Sequence, residues 1–434
     1  MTKKIKWAAL QPLTGGMYIG AEEAIGNPAE FILSYEGLND PIYNKEKTKI
    51  IDGGNEYHLT QYLKKKGECP PYFKFKDRKM FDLNYTLDPE IINENDEVVD
   101  ISDKFKNMDI VVAVPVCSGL SSATTAGDDT KNARNCNMKF LAEYALGVIQ
   151  PKIYIFENAP ALFTASGSHV RQSLIEIAQK YNYSVAFLKT DTQQHYNCQR
   201  RVRTFVVFIK DANKGTFEFT YENKHYNVDE YFYMMNPNAS QNYNLEGFEF
   251  AHMILDFVKQ EHGETWRDDL TIKNLYCYIL FDKGRVTRFK EFVEKYDCAD
   301  KIKKSMLHST DHALYKLSIG KGFYFNSPVC PDNSHVGAMM FKTIPYTIHP
   351  FEDRYITCRE ALYLMGYPED FEMQGEYNNF FTRIGQNVPV KTAKYIVGQA
   401  VNFINRWDDE REHGNILYVD NIKNKAWEPD NKVA

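Results

Sequence analysis

Short apolar runs alternate with stretches of helical periodicity along the first part of the chain. Six of these runs predict β-strands, because apolar residues typical of strands precede small or polar ones: 6–10, 29–34, 110–114, 152–156, 184–188 and 204–209. Between them, residues 138–149 and 170–180 place apolar side chains at the spacing of a helix. The alternation predicts an α/β sheet, in which ligands bind at the carboxyl ends of the strands.

The residue composition and the pattern of apolar positions change along the chain. We predict that residues 1–210 form one domain and that residues 211–345, which are rich in Tyr, Phe, Asn and Lys, form a smaller module. The α/β pattern returns over 346–410, where a helix predicted at 390–407 would pack on the first domain, and 411–434 is a polar tail. An insertion-like stretch at about 41–95 has no role assigned from the sequence.

Composition narrows the class of protein. The chain has 434 residues, of which 43% are hydrophobic, enough for a large domain and a smaller one, each with a core. No apolar run reaches the roughly 18 residues that span a bilayer, so we expect a soluble cytoplasmic protein without a membrane partner. The eight cysteines include no Cys-x-x-Cys pair and are expected to be reduced thiols. A formal net charge of -6 disfavours nucleic-acid binding over the whole surface, but it allows a local basic cleft.

A cysteine stands just beyond the proline that ends the third predicted strand, in the segment VVAVPVCSGLS at 111–121. This position puts the thiol of Cys117 at the edge of the sheet where ligands bind. A single cysteine is more often an inert core or loop residue, because free Cys packs as a small hydrophobe. Cys117 therefore becomes a candidate nucleophile only through its neighbours.

Two further segments supply those neighbours. In IYIFENAP at 153–160, Glu157 follows four apolar residues and is expected beside Cys117, although the same acid could simply cap the next segment. In QRRVRTFVVF at 199–208, clustered arginines run into a strand. Such runs are mostly solvated surface, but a strand would fix Arg201 and Arg203 on the same face. We therefore expect one pocket that holds a thiol, a carboxyl group and guanidinium groups.

With these segments in view, the sequence resembles the cytosine-5 DNA methyltransferase family. The proline-cysteine, Glu-Asn and Gln-x-Arg-x-Arg blocks stand in family order and at separations similar to the family's. Later blocks follow as RYITCREA at 354–361, LMGYPEDF at 364–371 and IGQNVPV at 384–390. The resemblance implies an α/β, Rossmann-like S-adenosylmethionine-dependent methyltransferase fold with a smaller target-recognition domain, which would be the module at 211–345.

The resemblance also implies a binding site for S-adenosylmethionine as cofactor. The glycine turn in LTGGMYIGAEEA at 13–24 follows the first strand and lets the backbone approach a ligand closely. Glu36 matches the family's acid that contacts the ribose, and Asp100 matches the acid that lies near the adenine. Each could also be an ordinary turn residue. The expected cofactor-binding residues are Thr14, Gly15, Gly16, Glu36, Asp100, Ile101, Pro115, Gln386 and Asn387.

The chain departs from the family's blocks in three places. In the glycine turn between the first strand and the following helix, which we call the donor turn, Pro12 replaces the family's first glycine. Val116 and Ser118 flank the cysteine where the family has proline and glutamine. Gln386 replaces an asparagine that here comes one residue later. The altered donor turn motivates two alternatives, an RNA substrate and a modified form of S-adenosylmethionine. Another alternative is a non-catalytic DNA-binding relative, which the joint presence of the thiol, the carboxyl group and the arginine disfavours.

For catalysis, the resemblance implies that Cys117 adds to carbon 6 of a cytosine flipped out of double-stranded DNA. Glu157 would hold ring nitrogen 3 and the amino group, and Arg203, with Arg201 in support, would bind the carbonyl oxygen. Residues 119–137 are a candidate loop that closes over the base. No obligate protein partner is indicated, and we expect a monomer.

Two weaker patterns concern DNA and metal binding. Lys283, Arg285, Arg288 and Lys290 could form a basic stripe in the target-recognition domain, but a solvated helix face is at least as good an interpretation. The two histidines of HSTDH at 308–312 have a spacing that suits a metal, yet no further ligands accompany them, so we expect no metal site.

Overall fold

A mixed β-sheet forms the centre of the protein. The computed structural model describes residues 4–39, 42–43, 49–51, 54–120, 128–211, 227–236, 249–269, 275–320, 335–339, 347–373, 380, 383–407 and 418–420. The strands are β1 Trp7–Leu10, β2 Phe31–Tyr35, β3 Ile42–Tyr43, β4 Lys49–Ile51, β5 Tyr72–Phe75, β6 Ile91–Ile92, β7 Ile110–Ala113, β8 Ile153–Asn158, β9 Tyr183–Asp191, β10 Val202–Lys210 and β11 Tyr418–Asp420. Nine of them form one sheet in the order β11-β9-β10-β8-β7-β1-β2-β5-β6, and β3 pairs with β4 separately.

All six strands predicted from the sequence belong to this sheet, with ends shifted by a few residues, so the α/β fold class is confirmed. Strands β8, β7, β1, β2 and β5 run parallel, whereas β10 lies antiparallel between β8 and β9. The carboxyl ends of the five parallel strands therefore meet at the same edge of the sheet. We call this the carboxyl edge.

Helices cover both faces of the sheet. The helices of the described residues are α1 Gly16–Ile25, α2 Tyr57–Lys66, α3 Ser102–Phe105, α4 Asp128–Tyr144, α5 Ser168–Lys180, α6 Val228–Tyr233, α7 Glu249–His262, α8 Trp266–Asp269, α9 Leu275–Leu280, α10 Lys283–Lys295, α11 Asp300–Ser318, α12 Cys358–Leu364 and α13 Val390–Ile404. Strands β1, β7 and β8 are buried on both faces, as their continuous apolar runs require. Helices α1, α12 and α13 contribute to the apolar cluster on one face, and α4 and α5 contribute to the cluster on the other. The helix predicted at 390–407 is confirmed as α13, which packs against α1.

The helix predicted at 138–149 starts earlier than the apolar spacing indicated. Helix α4 begins at Asp128 and continues into a π-helical turn at Ala145–Ile149. The candidate base-closing loop at 119–137 is therefore wrong over its second half, because 128–137 are helical. Residues 121–127 of that loop lie outside the described residues.

Helices α7 to α11 form a separate unit, which we call the helical module. They enclose an apolar cluster of their own, to which Ile348 and Tyr355 also belong. Conversely, Tyr231 of α6 and Val336 pack in the cluster of the sheet domain. Residues from the predicted module at 211–345 thus pack with the sheet domain, and residues after 345 pack with the helical module. None of the helices in the described ranges has the length and apolar character needed to cross a membrane.

Candidate active site

The turn between β1 and α1 is tightly curved and carries two glycines. Three of its residues have positive φ angles, including Gly15 at 104°. A Cβ atom added to Gly15 would lie 2.5 Å from Cδ1 of Leu59, and one added to Gly16 would collide with the carbonyl oxygen of Val388. Thr14 is buried beside them. The turn therefore needs glycine both for its left-handed backbone and for the close approach of the last sequence block.

A carboxyl group that the sequence analysis did not single out supports this turn. Glu56, at the start of α2, is completely buried and accepts hydrogen bonds from Ser34 Oγ at 2.7 Å and Tyr72 Oη at 2.6 Å. It also forms a hydrogen bond with the backbone of Leu13 in the donor turn. Burial raises the pKa of Glu56 to about 7, although these hydrogen bonds oppose the shift. Glu56 lies within the stretch at 41–95, and no sequence motif marks it.

The acid expected to bind the ribose has a second acid beside it. Glu36 is exposed directly after β2, and its Oε2 atom accepts the backbone N–H of Asp77 at 3.2 Å. Asp77 follows β5, the parallel neighbour of β2, so strand pairing brings the two residues together. The sequence analysis did not predict this contact, because it depends on the pairing of β2 with β5. Asp100 is exposed before α3, and Ile101 is buried in the same cluster as Tyr35.

The loop after β7 holds the candidate nucleophile. Pro115 is buried at the start of this loop, and Cys117 is half-buried against the apolar cluster that includes α4. The N–H of Val116 donates to Oδ1 of Asn137 at 2.8 Å, and the N–H of Leu120 donates to the carbonyl of Cys117 at 3.0 Å. The backbone on both sides of the thiol is therefore fixed, on one side by a helix and on the other by a turn.

Antiparallel pairing of β8 and β10 brings Glu157 and Arg203 together. Phe205 lies opposite Glu157, and Arg203 is two residues earlier on the same face of β10. Nε of Arg203 is 2.9 Å from Oε1 of the buried Glu157. Nη1 of Arg203 donates to the carbonyl of Val202 at 2.7 Å, whereas Nη2 makes no hydrogen bond to a residue that the structure describes. One guanidinium nitrogen thus remains for another acceptor.

Arg201 is fully buried and holds two distant segments of the chain. Its Nη1 donates to the carbonyl of Met339 at 2.6 Å, and its Nη2 donates to the carbonyls of Gly385 at 2.8 Å and Asn387 at 2.9 Å. Burial lowers the pKa of Arg201 to about 9. The side chain therefore fixes the last block, in which Gln386 is exposed and Asn387 is buried.

The four candidate catalytic side chains form one electrostatic cluster. Burial raises the pKa of the Cys117 thiol and the charge of Glu157 raises it further, whereas Arg203 and Arg201 lower it. Burial also raises the pKa of the Glu157 carboxyl, against the effect of the two guanidinium groups. The structure thus brings together the thiol, the carboxyl group and the two arginines that the sequence placed in one pocket. Such a cluster can attack, protonate and orient a small polar ring.

The residues at the carboxyl edge fit the expected methyl donor. No side chain caps the start of α1, so N–H groups of its first turn are suited to a carboxylate. Oε1 of Gln11 and Oδ1 of Asn387 are buried without a hydrogen-bond partner among the described residues. Glu36 offers acceptors for hydroxyl groups at the end of β2. The donors, acceptors and glycine turn together fit S-adenosylmethionine.

The predicted basic stripe of α10 is largely engaged in contacts within the helical module. Arg285 donates from Nε to the carbonyl of Tyr278 and lies over its ring. Arg288 pairs with Glu261, and Lys290 pairs with Asp311. These contacts favour the interpretation as a solvated helix face. In the described ranges, no group of three or more His, Cys, Asp or Glu residues could hold a metal ion.

Comparisons with known proteins identify the family of this chain. The C-5 cytosine-specific DNA methylase family matches residues 75–402. A Methanocaldococcus jannaschii protein named "Putative type II methyltransferase M.MjaORF1200P" is 24% identical over 321 residues, which cover 71% of each chain. A crystal structure from E. coli, described as a "putative DNA modification methyltransferase encoded within prophage", has a TM-score of 0.53 at 16% identity and covers 92% of this chain and 99% of that chain. The likeness in structure shows the fold, a Rossmann-like methyltransferase sheet. The chain therefore belongs to the C-5 cytosine-specific DNA methylase family and is a cytosine methyltransferase that uses S-adenosylmethionine as its methyl donor.

Proposed function

We propose that this protein methylates carbon 5 of a cytosine in a specific sequence of double-stranded DNA, through a transient bond between Cys117 and the base. The observation that carries the proposal is the cluster of Cys117, Glu157 and Arg203 at the carboxyl edge. Burial of the Glu157 carboxyl costs free energy, and groups whose pKa is shifted by burial and by charged neighbours are enriched at functional sites. Family membership supports DNA as the substrate.

The chemistry begins at carbon 6, because carbon 5 of cytosine is a poor nucleophile. The thiolate of Cys117 forms a bond to carbon 6, and the electrons of the 5,6 double bond become available at carbon 5. Glu157 holds ring nitrogen 3 and donates a proton to it, which the raised pKa of its carboxyl favours. Nη2 of Arg203 binds the carbonyl oxygen and stabilises charge that develops there. After methylation, a base removes the proton from carbon 5, and the electrons of that bond restore the 5,6 double bond as the bond between sulfur and carbon 6 breaks. Ring nitrogen 3 then returns its proton to Glu157, so the thiolate and the carboxyl group are both restored.

The methyl donor would lie between the glycine turn and the last block. Thr14, Gly15 and Gly16 supply the backbone of the turn, and Glu36 would bind the ribose hydroxyls. The adenine would lie near Asp100 and Ile101, with Pro115, Gln386 and Asn387 completing the site. When bound, S-adenosylmethionine supplies an electrophilic methyl group.

The target base has to leave the DNA helix. Cys117 is half-buried at the edge of the sheet, and a cytosine stacked within a duplex cannot bring carbon 6 to such a thiol. Flipping one nucleotide costs a few kcal/mol, which contacts elsewhere on the DNA must offset. We assign these contacts to the predicted target-recognition domain, most of whose described residues belong to the helical module.

Bisulfite sequencing of DNA from cells that express the protein tests the proposal. We expect a short defined motif to be modified by the wild-type protein and unmodified in cells expressing Cys117→Ser. Cys69→Ser is the matched control, because Cys69 is also a half-buried free thiol but lies outside the cluster. It should leave the modification intact. Modification that persists in Cys117→Ser would refute the assigned nucleophile.

The choice between DNA and RNA needs a second measurement. Purified protein is incubated with labelled S-adenosylmethionine and either unmethylated genomic DNA or total RNA. We expect label to enter DNA. Transfer to RNA alone would overturn the assignment of DNA as the substrate. The role of Cys117 would then be tested by measuring transfer to RNA in Cys117→Ser.

A further inference from the structure

A single buried side chain connects the nucleophile loop to the strand that leads into the donor site. Asn137 lies in α4 and is completely buried. Its Oδ1 atom accepts the N–H of Val116 at 2.8 Å, and its Nδ2 group donates to Oη of Tyr35 at 2.8 Å. Both ends of the amide are therefore used, and each reaches a different part of the carboxyl edge.

The two partners of Asn137 adjoin residues with proposed roles. Val116 immediately precedes Cys117, and Tyr35 immediately precedes Glu36. Strands β2 and β7, which carry these segments, are not neighbours, because β1 lies between them. The hydrogen bonds of Asn137 cross this gap. They link the acid proposed to hold the ribose with the thiol proposed to attack the base.

The tyrosine end of this link is itself firmly held. Tyr35 forms a side-chain hydrogen bond with Arg78, and the guanidinium carbon of Arg78 lies 3.5 Å from the centre of the Phe140 ring. The Tyr35 ring packs edge-on against Phe75 with centroids 5.4 Å apart. A rigid phenol at one end gives Asn137 a fixed reference for the loop at its other end.

We propose that Asn137 is a positioning residue that sets the placement of Cys117 relative to the donor site, by holding Val116 at a fixed place beside Tyr35. The inference rests on the proposed role of Cys117. Methyl transfer requires the base, bonded to the thiol, to face the donor within a few tenths of an ångström of the reactive arrangement. Two loops that move independently cannot maintain this arrangement, whereas loops joined through one buried amide can.

The proposal predicts a change in kcat with little change in donor binding. In Asn137→Ala, a misplacement of the thiol by about 1 Å lowers kcat roughly 100-fold, while the dissociation constant for S-adenosylmethionine changes by less than about threefold. Tyr35→Phe leaves the hydrogen bond between Val116 and Asn137 intact but removes the hydroxyl that bonds to Asn137 and Arg78, and it lowers kcat about fivefold to tenfold. The double variant is no slower than Asn137→Ala, because both substitutions break the same link.

Asn135→Ala provides the matched control. Asn135 is in the same helix and is also buried, but its Oδ1 atom has no hydrogen-bond partner among the described residues. Activity is measured on a duplex that contains the motif found by bisulfite sequencing, and urea unfolding checks that each variant is folded. Equal kcat values for Asn137→Ala and Asn135→Ala would overturn the proposal. If Asn137→Ala does not fold, an unchanged kcat in Tyr35→Phe overturns it instead.

A measurement without nucleic acid separates this proposal from the proposed function. Alkylation of Cys117 by iodoacetamide is followed by peptide mass spectrometry. Loss of the Val116 hydrogen bond should release the loop and accelerate alkylation about fivefold in Asn137→Ala relative to Asn135→Ala. Wild-type protein that methylates neither DNA nor RNA would refute the proposed function. Equal alkylation rates in the two variants would refute the link through Asn137.

Discussion

Charged side chains are arranged differently at the carboxyl edge and in the helical module. At the edge, the side chains of Arg203 and Glu157 are 18% and 5% exposed and lie 2.9 Å apart. In the helical module, Lys290 and Asp311 lie 2.6 Å apart but are 33% and 58% exposed. Burying an ion costs several kcal/mol, whereas an exposed pair contributes less than about 1 kcal/mol.

This difference separates residues that are proposed to perform chemistry from residues that form ion pairs at the surface. The carboxyl edge buries the acid Glu157 and the guanidinium group of Arg201 almost completely, with Cys117 and Arg203 half-buried beside them, although this burial is unfavourable. The ion pairs of the helical module carry no such cost and are expected to tolerate substitution. Four predictions test this contrast.

The largest effect is expected at Glu157. Glu157→Gln should lower kcat for methyl transfer about 100-fold to 1000-fold, because a neutral amide cannot donate the proton to ring nitrogen 3. The same change removes the negative charge that raises the pKa of Cys117, so the thiol should be alkylated at lower pH than in the wild type. The control is Glu261→Gln, an acid paired with Arg288 in the helical module. If Glu261→Gln lost as much activity as Glu157→Gln, the distinction between the carboxyl edge and the helical module would be wrong.

Arg201 should matter for stability as well as for the site. Arg201→Met removes hydrogen bonds to the carbonyls of Met339, Gly385 and Asn387, and it should lower the free energy of unfolding by about 3 kcal/mol. Arg288→Met, which removes an exposed arginine, should cost less than about 1 kcal/mol. Urea denaturation measures both. Equal losses would show that burial of the arginine does not decide its contribution.

Glu56 should make stability depend on pH. Its pKa in the folded protein is about 7, above the ordinary value of 4.5, so the unfolded chain loses this proton first as pH rises. Wild-type stability relative to Glu56→Gln should therefore fall between about pH 4.5 and pH 7 and stay level above pH 7. The total change is at most about 3 kcal/mol. Urea unfolding at pH 5 and pH 8 measures it, and a difference that does not vary with pH would contradict the burial of a carboxyl group there.

The smallest effect is expected for the pair of Lys290 and Asp311. A double-mutant cycle with Lys290→Ala and Asp311→Ala should give a coupling below about 1 kcal/mol, which decreases further at high salt. A coupling of several kcal/mol would remove the distinction between the two regions.

The sheet and the grouping of the candidate catalytic side chains were predictable because each depends on short stretches of sequence. Continuous apolar runs gave the central strands, and Cys117 and Glu157 directly follow or end such runs. The early start of α4 at Asp128 was missed, although two consecutive acids at 128–129 are typical of a first helical turn. The apolar spacing alone begins only at Met138.

Residues whose roles depend on contacts between strands could not be found in this way. Glu56 meets Ser34 and Tyr72 only because β2 and β5 are neighbours beneath α2. Asn137 lies within a helix, where asparagine is unfavourable, and this low helix propensity was the only feature of the sequence that could have singled it out. Its partners at 35 and 116 lie far apart in sequence, and only the order of the strands brings them together.

The contact between α1 and the end of the chain has a consequence for synthesis on the ribosome. Side chains at Gly16 and Gly20 would collide with the backbone at Val388 and Val390, so these late residues form one wall of the donor turn. A nascent chain can form β1, β2 and β7 long before that wall exists. Capture of the methyl donor should therefore be delayed until α13 has left the exit tunnel, and a target cytosine has no methyl group to accept at carbon 5 before then.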